Sequence, residues 1–100
     1  MIKHFVAFRF KPSASAQLRE DILAELRTFP AHYPAMRNWN DGRNISKRDQ
    51  TFEYGFTVEF DKEEELLAYL NSERHEHFVR ERFRPNVETR AIVSFETGKV

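Results

Sequence analysis

Two side chains able to move protons flank an interruption in the run Leu66 to Phe78, LLAYLNSERHEHF: Tyr69 before Asn71-Ser72 and His75 after it. A histidine with a reference pKa near 6.5 is mostly an unprotonated base at neutral pH, and a partly apolar pocket keeps it so by penalising the cation. The phenol of Tyr69 can donate a hydrogen bond to a carbonyl or enolate oxygen. In an unbroken helix the two residues would stand on different faces, but the Asn71-Ser72 break can turn both toward one cavity. His75 would then abstract a proton from carbon between two carbonyls while Tyr69 stabilises the enolate. His75 and Tyr69 are therefore the candidate catalytic pair. The same residues also suit plainer work, His75 donating one ring nitrogen to a backbone carbonyl at the core rim and Tyr69 packing with a wet hydroxyl.

His4 lies in the opening strand pattern, on one face with Ile2, Val6, Phe8 and Phe10. A histidine buried there must find a hydrogen-bond partner, whether it lines a pocket or only supports the core. Phe52, Tyr54, Phe56 and Phe60 alternate along a second strand pattern as an aromatic face that could hold a flat ligand, although such a stripe is core by default. The candidate ligand-contacting residues are His4, Phe8, Tyr54, Phe56 and Phe78. His75 and His77 resemble a metal pair, but two positions on a helix diverge by about 200°, so neither a metal nor a cofactor is expected. His32, beside Tyr33 in a proline-bounded turn, reads as solvated. Trp39 suits either a pocket mouth or a subunit contact.

The elements that must position these groups follow from periodicity. Residues 2 to 11 alternate with the period of a strand, ended by Pro12. Ser13 or Ser15 can cap a helix whose Leu18, Ile22, Leu26 and Phe29 form one stripe, closed by Pro30 and Pro34. A weaker strand spans 36 to 45 and a clear one 51 to 60. Asp61 with Glu64 reads as a capping box ahead of a helix with Leu66, Leu67, Tyr69 and Leu70 on its apolar side. Ser72 can cap a further segment carrying His75, Phe78, Val79 and Phe83 on one stripe, and its dense charges from Glu73 to Arg84 read as a solvated face. Pro85 stops it, and Val87, Thr89, Ala91, Val93 and Phe95 alternate with Glu88, Arg90, Ile92, Ser94 and Glu96 as a last strand.

The order βαββαβ predicts an α+β, ferredoxin-like fold with a four-stranded antiparallel sheet and helices on one face. The second face receives Phe5, Ala7 and Ile92 and needs a cover. Sheet-to-sheet pairing of two copies supplies one, so a homodimer, a dimeric α+β barrel, is expected.

One hundred residues suit a single domain, 1–100, with one core. Sixteen basic residues balance sixteen acidic ones, leaving no electrostatic footprint for nucleic acid or an anionic membrane. Without cysteine there is no thiolate metal site, disulfide or cysteine nucleophile. No apolar run approaches the roughly 20 residues of a membrane helix, and the expected setting is the cytoplasm.

These residues, in this order, resemble the stress-responsive A/B barrel (Dabb) domain family. The resemblance covers nearly the whole chain and rests on Ile2-Lys3-His4-Phe5-Val6 with Phe8 and Phe10-Lys11, Thr57-Val58-Glu59-Phe60, Ala68-Tyr69-Leu70 running on to His75 and Phe78, and Val93-Ser94-Phe95-Glu96. It implies two ferredoxin-like sheets paired in a dimeric barrel. The more distant likeness to one member, the plant olivetolic acid cyclase, implies cofactor-free aldol cyclisation of a polyketide, with His75 as base, Tyr69 at the substrate carbonyl and His4 in the first strand. Tyr54 stands where that enzyme has a third-strand histidine. The leading expectation is a protein of this family that binds a small apolar or aromatic molecule and performs such cofactor-free cyclisation or proton transfer on it; the alternative is a non-catalytic stress-response or ligand-carrying barrel. A third relative of the fold, the haem-binding monooxygenases, would use the helix histidine as an iron ligand.

Overall fold

A computed structural model describes residues 1–98. The elements run β1 (Ile2–Phe10), α1 (Ala16–Arg27), α2 (Phe29–His32), β2 (Arg37–Arg43), β3 (Tyr54–Phe60), α3 (Glu63–Leu70), α4 (Glu73–Phe78), a π-helical turn (Val79–Phe83) and β4 (Val87–Glu96). The strands form one antiparallel sheet in the order β2-β3-β1-β4. The helices cover one of its faces, which is the ferredoxin-like arrangement that the βαββαβ order predicts.

Directly opposed residues of an antiparallel ladder share a face. His4 opposite Val58, Val6 opposite Phe56 and Ile2 opposite Phe60 therefore define the inner side of the sheet. Against it pack Ile22, Leu23 and Leu26 of α1, Phe29 of α2, Leu66 and Tyr69 of α3, and Phe78 and Phe83 beyond. Leu23 widens the expected stripe, and Leu18 stays partly exposed at its end.

Several boundaries differ from the sequence reading, each for a local reason. Ser15 is the cap of α1, its Oγ accepting from the Leu18 N–H at 3.1 Å. Pro30 does not stop a helix but stands in the first turn of α2, where a missing N–H leaves no bond unmade. β2 is shorter than 36 to 45, and β3 starts at Tyr54 rather than Thr51. The loop between them satisfies its own backbone, as where Asn44 Nδ2 donates to the carbonyls of Asp49 (3.0 Å) and Phe52 (2.8 Å). The cap of α3 is shifted by one residue: the Lys62 N–H donates to Glu65 Oε1 at 3.1 Å, while Asp61 pairs with Arg37 at 3.0 Å. Leu67 leaves the apolar side and is 46% exposed.

The largest correction concerns β4. Ile92 faces inward, opposite Val6, while Ala91, Val93 and Phe95 stand opposite Ala7, Phe5 and Lys3 on the open side. The cause is an irregularity between Arg9 and Phe10, which pairs Phe10 with Val87 but Arg9 with Thr89 and so reverses the phase of the strand after its first residues. The open face is consequently more apolar than alternation from Val87 implies: Phe5, Val93 and Phe95 are 37%, 51% and 48% exposed.

Ile22 has no exposed surface, whereas Ile45 is 91% exposed. Ile22→Ala is expected to lower unfolding stability in urea by about 2–5 kcal/mol, and Ile45→Ala to change it by less than about 0.5 kcal/mol. Equal effects of the two substitutions would contradict the placement of α1 on the sheet.

Candidate functional site

The helix that begins at Glu63 ends at Leu70 because Ser72 offers its backbone a better arrangement. The Ser72 hydroxyl donates to the Tyr69 carbonyl at 2.8 Å and accepts the His75 N–H at 3.3 Å, ending one helix and capping the next. The Tyr33 hydroxyl lies 2.6 Å from the same oxygen. Since the one proton of Ser72 goes to the Tyr69 carbonyl, Tyr33 donates here. One serine oxygen thus ties α3, α4 and the segment after α2 together.

This break brings the rings of Tyr69 and His75 to 4.6 Å between centroids, at 62°, from the different faces that a continuous helix would have given them. His75 Nδ1 lies 3.0 Å from the Leu70 carbonyl. A carbonyl can only accept, so Nδ1 carries the proton and Nε2 carries the lone pair. Burial pushes the His75 pKa below its ordinary value, against the smaller opposing effects of the Leu70 carbonyl and Glu76. The ring is therefore a neutral base at neutral pH. The plainer role foreseen for His75, donation to a backbone carbonyl, is compatible with this, because the donation fixes the tautomer that leaves Nε2 basic.

Tyr69 is 2% exposed, its ring set among Phe29, Tyr33 and Phe60. Burial, then the neighbouring Tyr33, raises its pKa well above that of an ordinary phenol, so the hydroxyl keeps its proton at neutral pH and can donate a hydrogen bond. Its hydroxyl has no hydrogen-bond partner among the described residues, and no buried side-chain polar atom among them lacks one, so the hydroxyl reaches open space.

Tyr69 lines a cavity of about 200 Å³ between the inner face of the sheet and α3, α4 and the π-helical turn. His4, Val6 and Phe56 form its floor, Tyr69, His75, Phe78 and Phe83 its helical wall, and Arg90, Ile92 and Ser94 its β4 side. His4 is 2% exposed and its Nδ1 lies 2.7 Å from Ser94 Oγ, the partner that a buried histidine requires. Burial and the proximity of His75 lower its pKa to about 4.

Of the residues singled out from sequence, His4, Phe56, Tyr69, His75 and Phe78 meet around this cavity. Phe8 and Tyr54 do not. Phe8 is core, packed on Phe10, Tyr54 and Phe83 at 5.1–5.8 Å, because the inward side of β1 is covered by helix at its C-terminal end and open only near His4 and Val6. Tyr54 stands at the start of β3 with Arg43 over its ring at 5.3 Å, beside a separate shallow cleft shared with Trp39. Trp39 itself stacks on Phe56 at 4.7 Å and donates to Asp41 at 2.9 Å. Sequence reasoning missed Tyr33, Ser94 and Arg90. The only early signal for Ser94 and Arg90 was their shared phase in β4, which means nothing until the register with β1 is known. Among the described residues no cluster of three or more His, Asp or Glu side chains could hold a metal ion, and no helix is long and apolar enough to cross a membrane.

The stress responsive A/B barrel domain family matches residues 2–97. No curated protein matches the chain. Among solved structures, a Dabb family protein with a ferredoxin-like fold from Mesorhizobium loti superposes with a TM-score of 0.85 at 23% identity, covering 95% of this chain and 94% of its own. The hydroxynitrile lyase of Passiflora edulis gives 0.89 at 20% identity, covering 99% and 94%. A dimeric ferredoxin-like protein from Thermobifida fusca gives 0.79 at 21% identity, covering 94% and 88%. At these identities the likeness is one of fold.

A histidine whose folded pKa is depressed destabilises the protein as pH falls, since the unfolded chain binds the proton first. For His4 the window runs from its unfolded value of 6.5 down to about 4, with stability complete above it, a span worth about 3 kcal/mol. His4→Gln is expected to flatten the decline in urea stability between pH 6.5 and pH 4. An unaltered acid limb would show that His4 is not held neutral by burial.

Proposed function

The chain belongs to the stress responsive A/B barrel domain family, and from that premise we propose that it is a small-molecule enzyme performing cofactor-free proton transfer at carbon in the cavity beneath α3 and α4. His75 Nε2 takes a proton from carbon next to a carbonyl, the electron pair moves onto the carbonyl oxygen, and the Tyr69 hydroxyl donates to that oxygen. Return of the proton from His75 to the same carbon completes an exchange, and its delivery to a different, conjugated carbon of the enolate completes an isomerisation. In the cyclising version the enolate carbon instead attacks a second carbonyl of the same molecule, and His75 returns its proton to the new alkoxide. The mostly apolar floor and helical wall favour the neutral forms of both groups. The observation that carries this reading is the single tautomer of His75, its Nδ1 proton committed to Leu70 and its Nε2 free beside an unpartnered phenol.

The cavity volume supports a small substrate, being below the roughly 300–1,000 Å³ of pockets for drug-sized ligands, and it argues against a haem at this site. The Passiflora relative is named for a reaction on a hydroxynitrile, itself a small molecule, which supports compact acid–base chemistry on this fold without carrying that reaction over. The open sheet face, with Phe5, Val93 and Phe95 partly exposed, supports a homodimer formed sheet to sheet, as does the dimeric state of the Thermobifida relative. A second reading, a non-catalytic carrier of an apolar molecule, draws on the mostly hydrocarbon lining of the cavity.

Deuterium exchange at the central carbon of a β-diketone, followed by NMR, separates the two readings. The wild-type protein is expected to accelerate exchange above the buffer rate, with activity rising as pH rises through the depressed pKa of His75 and level at neutral pH. His75→Ala should lose about 10²-fold or more, and Tyr69→Phe a comparable factor. Wild-type exchange at the buffer rate would leave the carrier. Sedimentation at micromolar concentration should show a dimer, and a monomer would sink the pairing of sheets.

A further inference from the structure

One side chain of the cavity wall carries a formal charge that neither the proton transfer nor the packing uses. Arg90 stands on the inner face of β4, opposite Phe8, and lines the cavity at its exposed rim. No Asp or Glu lines that cavity. Arg9, Arg19, Arg27, Arg37, Arg80 and Arg82 are matched by carboxylates, while Arg43, Arg48, Arg74 and Arg84 have none among the described residues and, unlike Arg90, do not line this cavity. Arg90 has no such partner within 4.0 Å among the described residues.

The placement has a direction. Along the inner face of β4, Ser94 lies opposite His4, Ile92 opposite Val6, and Arg90 opposite Phe8. The backbone of Arg90 is thus about 13 Å from that of Ser94 at 3.3 Å per residue, with the hydrocarbon of Val6 and Ile92 between. A molecule lying along this wall meets neutral imidazoles and a phenol at one end and a guanidinium at the other. The guanidinium fork matches a carboxylate in two parallel hydrogen bonds. Beside a low-dielectric wall that attraction exceeds what the same pair would have in open water.

We propose that Arg90 makes the cavity selective for small organic acids, holding the carboxylate of an apolar substrate at the rim while its reacting carbon lies at His75 and Tyr69. The proposal rests on the site described under the proposed function and adds the class of molecule that the site takes. Arg90 is a specificity-determining residue in this scheme, taking no part in the proton transfer. Its position at the rim lets the carboxylate keep part of its hydration while the apolar body is buried, which avoids the large cost of desolvating an anion completely.

Phenylacetate and phenylacetamide differ in charge but little in shape, and both can be titrated into the wild-type protein and into Arg90→Gln at low salt while the ring signals of His75 and Tyr69 are followed by NMR. Phenylacetate is expected to bind about tenfold or more tightly than the amide, an advantage that shrinks as salt is added. Arg90→Gln should reduce phenylacetate to the affinity of the amide and leave the amide unchanged. Equal affinity of the two probes in the wild type, or a preference for the acid that survives Arg90→Gln, would overturn the role of Arg90 while leaving the cavity reading in place. Failure of both probes to move the His75 and Tyr69 signals at millimolar concentration would overturn the two together.

Discussion

The arrangement of the cavity depends on one hydroxyl group. Ser72 Oγ gives its proton to the Tyr69 carbonyl and receives the N–H of His75 and the hydroxyl of Tyr33. Without that knot the α3 helix has no reason to stop, and six residues of continuous helix would set Tyr69 and His75 on different faces, about 120° apart. Ser, unlike Ala, competes with helical hydrogen bonding by offering the backbone a local partner. The same group that disfavours helix continuation therefore orders the two rings that face the cavity. The Leu70 carbonyl, released from helical pairing by the break, becomes the acceptor that fixes the His75 tautomer. Local chain termination and side-chain chemistry are here a single event.

Around this knot the protein holds polar groups in an apolar setting and keeps them uncharged. His4 and His75 are both depressed in pKa chiefly by burial, and Tyr69 is raised by it. The consequence for stability is unfavourable in acid, since each histidine resists a proton that the unfolded chain accepts. For the proposed proton transfer the consequence is favourable at neutral pH, because a neutral imidazole beside a protonated phenol is the pairing that general base catalysis with oxyanion stabilisation requires. The aromatic packing of Tyr69 on Phe29, Tyr33 and Phe60 restrains the ring whose hydroxyl is left free.

The sheet contributes through its register. β4 lies at the edge beside β1, and its inner residues Ser94, Ile92 and Arg90 reach the cavity because the helices pack mainly over β1 and β3. The irregularity at Arg9 and Phe10 decides which residues of β4 look inward. It sends Arg90 to the cavity and Val93 and Phe95 to the open face, so a single displaced pair governs both the polarity of the site and the apolar character of the surface opposite.

Much of the fold was legible in the sequence because it rests on near-neighbour physics. Alternation in residues 2–10 and 54–60, the stripe of Ile22, Leu26 and Phe29, and the stop at Asn71-Ser72 are each set within a few residues. Their order determined the ferredoxin-like arrangement, and the identities of His75, Tyr69 and His4 marked groups able to move protons. Tertiary structure alone decided which of the aromatic residues line space and which fill it, separating Phe56 and Phe78 from Phe8 and Tyr54. It alone placed Ser94 against His4 across 90 residues and gave Ser72 to Tyr33 across 39. Such pairings follow from strand register and helix docking, which depend on the sum of many distant contacts, and periodicity within one strand cannot show where its neighbour slips by a residue.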